Sequence, residues 1–176
     1  MIILRKKASP PPLPNLIPNV VFSFSGIAVN AGNPANVTNG SGLTPATPSL
    51  SGIHENYTTS NGVRSAFVNN IWPRILLFTL PTVYWVDGLS FWQVTGAEFA
   101  SGIRDFTLEY SLDGLSGWLQ IPGSPTTFNP GSNTAPSGPL QFSWTPVNAS
   151  YIRFVVTNNW GGQRIALLEV QFRGYL

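Results

Sequence analysis

The chain has 176 residues, with nine Lys/Arg, seven Asp/Glu, one His and no Cys. The lack of cysteine excludes disulfides and thiolate metal sites. A domain of about 150 residues buries roughly 68–70% of its unfolded surface and needs no such staples. The net charge is only +2, and three of the cations are Arg5, Lys6 and Lys7. The remaining body is nearly neutral, which speaks against a general electrostatic grip on nucleic acid.

Residues 1–19 form a basic, Pro-rich N-terminal arm. Pro10, Pro11, Pro12, Pro14 and Pro18 forbid a helix and favour extended polyproline geometry. Arg5, Lys6, Lys7, Pro11, Pro12 and Leu13 are the residues expected to dock on another protein subunit. Apolar residues precede the charges here, the reverse of an export signal, so secretion by the usual signal route is not indicated.

The domain itself is expected over residues 20–176. Residues 20–29 alternate apolar and small side chains, as an opening strand does. Residues 30–63 are dominated by Asn, Gly, Thr, Ser and Pro, a long loop fit for function rather than core. Pro73–Leu80 reads as a strand apolar on both faces and covered on both sides. Its run Ile75-Leu76-Leu77-Phe78 is among the longest apolar stretches, far short of a membrane span. Thr82–Gln93 continues the sheet, with an interruption near Asp87-Gly88.

Arg104–Ser111 alternates, with Phe106, Leu108 and Tyr110 opposite Asp105, Thr107 and Glu109. Leu112-Asp113-Gly114 is a turn, Trp118 opens a short strand, and residues 122–138 form a second polar loop. Leu140–Trp144, Tyr151–Thr157 and Arg164–Phe172 complete the strands. In the last, Ala166, Leu168, Val170 and Phe172 share one face, and Glu169 and Gln171 face away. No segment of ten residues carries a helical period. About eight apolar strands without helices require a second layer, hence an all-β sandwich.

Three stretches resemble the discoidin, or coagulation-factor C-type, family and its carbohydrate-binding relatives of galactose-binding-domain-like fold. They are Ile103 to Trp118 (IRDFTLEYSLDGLSGW), Ala149 to Gly162 (ASYIRFVVTNNWGG) and Ala166 to Gly174 (ALLEVQFRG). Looser matches are Asn39-Gly40 and Phe78-Thr79-Leu80. The resemblance implies an eight-stranded jelly-roll β-sandwich that binds ligands, commonly sugars, in loops at one end. It implies an arginine after the strand at Leu89–Trp92, where this chain has Gln93-Val94-Thr95. It also implies a structural calcium, its carboxylate ligands matching Asn39 and Glu169; Asn39 carries no charge, and hard Ca²⁺ prefers carboxylate oxygens.

Catalytic chemistry is thinly supplied. His54 is the only histidine, which excludes a two-histidine metal site. A Ser-His-Asp set around His54 exists on paper only. Among the carboxylates, Asp105 and Glu109 lie on the outer face of a strand and Asp113 is a turn residue, so a glycosidase pair is disfavoured. Sugar binding instead needs flat aromatic surfaces and polar side chains. Loop aromatics are Tyr57, Phe67, Trp72 and Trp160; polar neighbours are His54, Asn56, Arg64 and Asn159. The run His54-Glu55-Asn56-Tyr57 is the first choice. Trp85, Trp92, Trp118 and Trp144 are expected in core packing. Sequons begin at Asn36, Asn39, Asn56 and Asn148, at a frequency chance explains in so Asn- and Thr-rich a chain.

The sequence thus reads as a non-catalytic binding or adhesion module. It is expected on a virion surface or outside the cell, anchored to other protein subunits by its arm, with glycan recognition at a loop end. A purely structural virion decoration or connector without sugar binding is the alternative, and a hydrolase the disfavoured third.

Overall fold

The computed structural model describes residues 14–67 and 71–176. The proposed docking residues Arg5, Lys6, Lys7, Pro11, Pro12 and Leu13 lie outside these. The strands in chain order are β1 (Asn15–Leu16), β2 (Val21–Ser25), β3 (Val29–Gly32), β4 (Val63–Ser65), β5 (Arg74–Trp92), β6 (Ile103–Ser111), β7 (Leu119–Gln120), β8 (Leu140–Asn159), β9 (Ala166–Leu167) and β10 (Glu169–Tyr175). The helical content among them is two 3₁₀ turns, Pro34–Val37 and Gly96–Ser101.

All pairings are antiparallel; β3, β4 and β9 form a small separate sheet, and the other strands build two facing layers. One runs β2–β5–β8–β6–β7, with Phe22 opposite Phe78, Phe78 opposite Ile152, and Leu108 opposite Phe154. The other runs β1–β10–β5–β8, with Phe172 opposite Leu89 and Leu89 opposite Phe142. β5 and β8 therefore belong to both layers. They turn the corner where their mutual register slips, between Thr79 and Tyr84 and between Val86 and Gly88. Pro81 and Pro146 fall in these slips, where a missing N–H interrupts no ladder bond.

Alternation fills the space between the layers. Phe22, Leu76, Phe78, Phe106, Leu108, Ile152, Phe154 and Val156 point inward from one side, and Leu89, Phe91, Val170 and Phe172 from the other. The Phe78 and Phe172 rings meet across the gap at 5.2 Å, and Phe91 stacks on Phe128 at 4.0 Å. Each such side chain contributes about 1.5–3 kcal/mol on burial, so this aromatic seam dominates the core.

Several expectations shift. Among the described residues strand pairing starts at Asn15, within the segment read as the arm, since β1 pairs with β10 and Ile17 is a core residue. Pro73–Leu80 is buried on one face only, Ile75 and Leu77 being half-buried. The segment buried on both faces is 86–92. The long loop covers its outer side, with Leu50 and Gly52 carbonyls accepting from Ser90 Oγ and Trp92 Nε1. That loop also supplies core residues: Val37, Leu43 and Val63 are buried. Glu169 and Gln171 point away from the main core as expected, yet the same loop buries them fully. Trp92 and Trp144 are core residues, but Trp85 is 44% exposed, and Trp118 is half-buried beneath the Arg153 guanidinium, 4.1 Å from its ring centre.

Candidate functional site

One end of the sandwich gathers three connecting segments, residues 54–67, 93–104 and 157–166. β4 carries the first against β9, pairing Arg64 with Ala166 and Val63 with Leu167. Ser65 N donates to the Ile165 carbonyl at 2.9 Å, and Ile165 N returns a bond to Ser65 Oγ at 3.1 Å. The middle segment is tied to both others, by Tyr57 N to Thr95 O at 3.3 Å and Gly162 N to Ala100 O at 2.8 Å. Loops fastened in this way hold their side chains in fixed relation, as a recognition surface requires.

The side chains brought together are Tyr57, Arg64, Glu98 and Arg164, with Phe67, Arg104 and Trp160 alongside. Arg64 forms an ion pair with Glu98, whose second oxygen accepts from Ser101 Oγ at 2.9 Å. Tyr57 feels the charges of Arg64, Glu98 and Arg164; burial outweighs them and pushes its phenol above the usual range. The Arg164 guanidinium lies 3.9 Å from the centre of the Phe67 ring, and Phe67 is 49% exposed. The Arg104 guanidinium lies 5.6 Å from Trp160 and pairs with Asp105. Tyr57 Oη, Arg64 Nε, Trp160 Nε1 and Arg164 Nε are buried without a protein hydrogen-bond partner. Buried donors without a protein acceptor are uncommon in a folded domain, and here they sit among exposed and half-buried aromatic rings.

Of the residues chosen from sequence, Tyr57, Arg64 and Trp160 reach this end. His54 does not face solvent: it is 0% exposed, bridges Leu43 and Ser137, and packs its ring against Gly42. Burial lowers its pKa below 6.5. Asn159 is likewise spent internally. Its amide donates to Gly162 O and Arg164 O at 2.7 and 2.8 Å, and its oxygen accepts from Gly161 N at 3.0 Å. Asn56 donates to Thr134 O at 3.3 Å at the loop margin. Trp72 packs half-buried against the main core. Sequence alone does not mark Glu98 or Arg164, because the ion pair of Glu98 with Arg64 spans 34 residues and the ring under Arg164 belongs to Phe67 in another segment.

Gln93 stands where the resemblance implies an arginine. It is buried, and its amide donates to Ile103 O at 2.7 Å and Asn129 O at 2.9 Å. It stitches loops together and offers nothing to a ligand.

The pair Asn39 and Glu169 does not fit calcium. Asn39 is exposed, with Oδ1 accepting from Ser41 N at 2.9 Å. Glu169 accepts from Gly40 N at 3.1 Å on both oxygens and from the Gln171 amide. N–H donors thus face the carboxylate where a hard cation needs oxygens. Burial pushes its pKa up to about 8, against the pull of the Gln171 and Gly40 hydrogen bonds. Among the described residues no three His, Cys, Asp or Glu form a metal-binding group.

At the opposite end, Trp85, Leu112, Leu119, Pro146 and Val147 line a cavity of about 520 Å³. Leu112 and Leu119 are 59% and 57% exposed. No helix of the described residues is long and apolar enough to cross a membrane.

No family model and no curated protein matches the chain in sequence. Solved structures match it closely in shape. The first carbohydrate-binding module of family 32 from a family 31 glycoside hydrolase of Clostridium perfringens superposes with a TM-score of 0.59 at 14% identity, covering 92% of this chain and 97% of that one. A second such module of a family 31 hydrolase, bound to GalNAc, gives 0.58 at 9% identity, with 90% and 97% covered. The family 32 module of C. perfringens NanJ, in complex with galactose, gives 0.56 at 11%, with 92% and 99% covered. The chain thus has the discoidin-like β-sandwich fold of the family 32 carbohydrate-binding modules.

Proposed function

We propose that this chain is a non-catalytic carbohydrate-binding module that takes a glycan at the loop end of residues 54–67, 93–104 and 157–166. The observation that carries this reading is the meeting of Tyr57 and Phe67 with Arg64, Glu98 and Arg164, with Trp160 beside Arg104 on the same loops. The structurally similar modules crystallised with GalNAc or galactose support sugar as the ligand class. A hydrolytic reading is disfavoured by how the carboxylates are spent. Glu98, Asp105, Glu109 and Asp87 sit in ion pairs with arginine, Asp113 holds a turn, and Glu169 is buried, which leaves the exposed Glu55 without a second carboxylate to form a glycosidase pair. The test is a glycan array probed with the full chain. Binding to one family of sugars supports the module; a folded chain that binds none refutes it.

A role as the surface component of a larger assembly such as a virion is the second part of the proposal, with residues 1–13 anchoring it to other subunits. The apolar cavity around Trp85, Leu112 and Leu119 favours protein contact at the end remote from the loops. Removal of residues 1–13 leaves β1 and Ile17 in place and is expected to abolish incorporation without unfolding the domain. Unchanged incorporation refutes the anchor. Incorporation combined with no glycan binding would favour the purely structural decoration.

A further inference from the structure

We propose that the saccharide taken at the loop end is acidic, bearing a carboxylate or sulfate that Arg164 receives; the inference rests on the carbohydrate reading above. Hydrogen-bonding capacity gives the first argument. Tyr57 Oη, Arg64 Nε, Trp160 Nε1 and Arg164 Nε are buried there without protein acceptors; Asn56 Oδ1 and Thr95 Oγ1 are the unpaired acceptor atoms of the same loops. Three of the four donors can only donate. A neutral sugar hydroxyl brings one proton with each oxygen, whereas an ionised carboxylate or sulfate only accepts and suits an end whose enclosed donors outnumber its acceptors.

Charge gives the second. Arg64 is neutralised by Glu98 and Arg104 by Asp105. Arg164 makes no ion pair with a carboxylate among the described residues; its guanidinium lies instead over Phe67. Glu55, the other charge of these segments, is exposed and is not among the charges that act on Tyr57, so Arg164 is the guanidinium beside Tyr57 that no carboxylate of the described residues pairs.

Rigidity gives the third. The Arg164 carbonyl accepts from Asn159 Nδ2 at 2.8 Å, and the next residue, Ile165, is bonded both ways to Ser65. A guanidinium held over an aromatic ring is a pre-organised fork of donors suited to an anion. The half-exposed Phe67 ring beside it offers an apolar face to the sugar.

The experiment is calorimetric titration of the full chain with galactose, galacturonic acid and galactose 6-sulfate. At low salt an acidic sugar is expected to bind roughly tenfold tighter than galactose, the effect of one charge-assisted contact. The ratio should shrink as salt rises from about 0.05 to about 0.5 M. R164Q should bring the ratio to near one, and R164K, which keeps the charge but loses the fork, should retain part of it; circular dichroism confirms that both variants fold. Which acidic sugar binds tighter distinguishes carboxylate from sulfate. Galactose bound as tightly as both acids, or an unchanged ratio in R164Q, overturns the inference while leaving the carbohydrate reading intact. A folded chain that binds none of the three overturns both.

Discussion

Gln171 lies two residues beyond Glu169 on the same face of β10 and turns its amide back onto the Glu169 carboxylate, while also donating to the Thr38 carbonyl at 2.9 Å. One side-chain nitrogen thus links the closing strand to the long loop between two oxygen acceptors, the position a bound cation would take. Calcium or a chelator is therefore expected to leave the melting temperature unchanged. Gln171→Ala should lower stability by about 1–3 kcal/mol, the cost of leaving buried acceptors unpaired, as read by denaturant unfolding. A chelator-induced drop in Tm would contradict this.

His54 gives a pH dependence of definite sign. Burial lowers its folded-state pKa below the 6.5 of the unfolded chain. As pH falls through 6.5 the unfolded chain takes up a proton before the folded one does, so this group's contribution is full above pH 6.5 and is lost below it. As the only histidine, it gives a single ring titration by NMR, expected with its midpoint below 6.5. His54→Gln should flatten stability against pH in that window.

Asn159 and Trp160 are neighbours with opposite expected phenotypes. Asn159→Ala removes a side chain that makes three bonds within the Gly161–Arg164 turn and should cost about 1–3 kcal/mol of stability. Trp160→Ala should weaken glycan binding with a smaller loss of stability, since that ring is only half-buried. Thermal melts and titrations on both variants separate the two roles.

Gly131 approaches the Val94 backbone so closely that a Cβ would lie 1.9 Å from its carbonyl oxygen. Gly131→Ala should destabilise by about 1–3 kcal/mol through overpacking and loosen the Gln93 contacts beside the loop end. A melting temperature equal to wild type would show that this backbone contact relaxes freely.

Strands were legible wherever a single face is buried, because period-two alternation is then written in the residue types. Phe106 and Leu108 against Thr107 and Glu109 are the plainest example. Legibility failed where burial comes from a distant loop. Glu169 and Gln171 read as outward polar residues, yet the segment around Asn36–Gly52 covers them, as it covers Ser90. The site divided along the same line. Tyr57 and Trp160 announce themselves as loop aromatics; His54 and Asn159 looked equally available but are consumed by local bonding. Arg164 and Glu98 acquire meaning only from partners brought near by the fold.

The two strands that run through both layers have a mechanical consequence. Because β5 and β8 supply hydrogen bonds on either side of the corner, neither layer can detach while its counterpart stays intact. Amides at Leu76 in one layer and Leu89 in the other are expected to exchange with solvent through one shared global opening. A tug on the loop end is then borne by the entire sandwich at once.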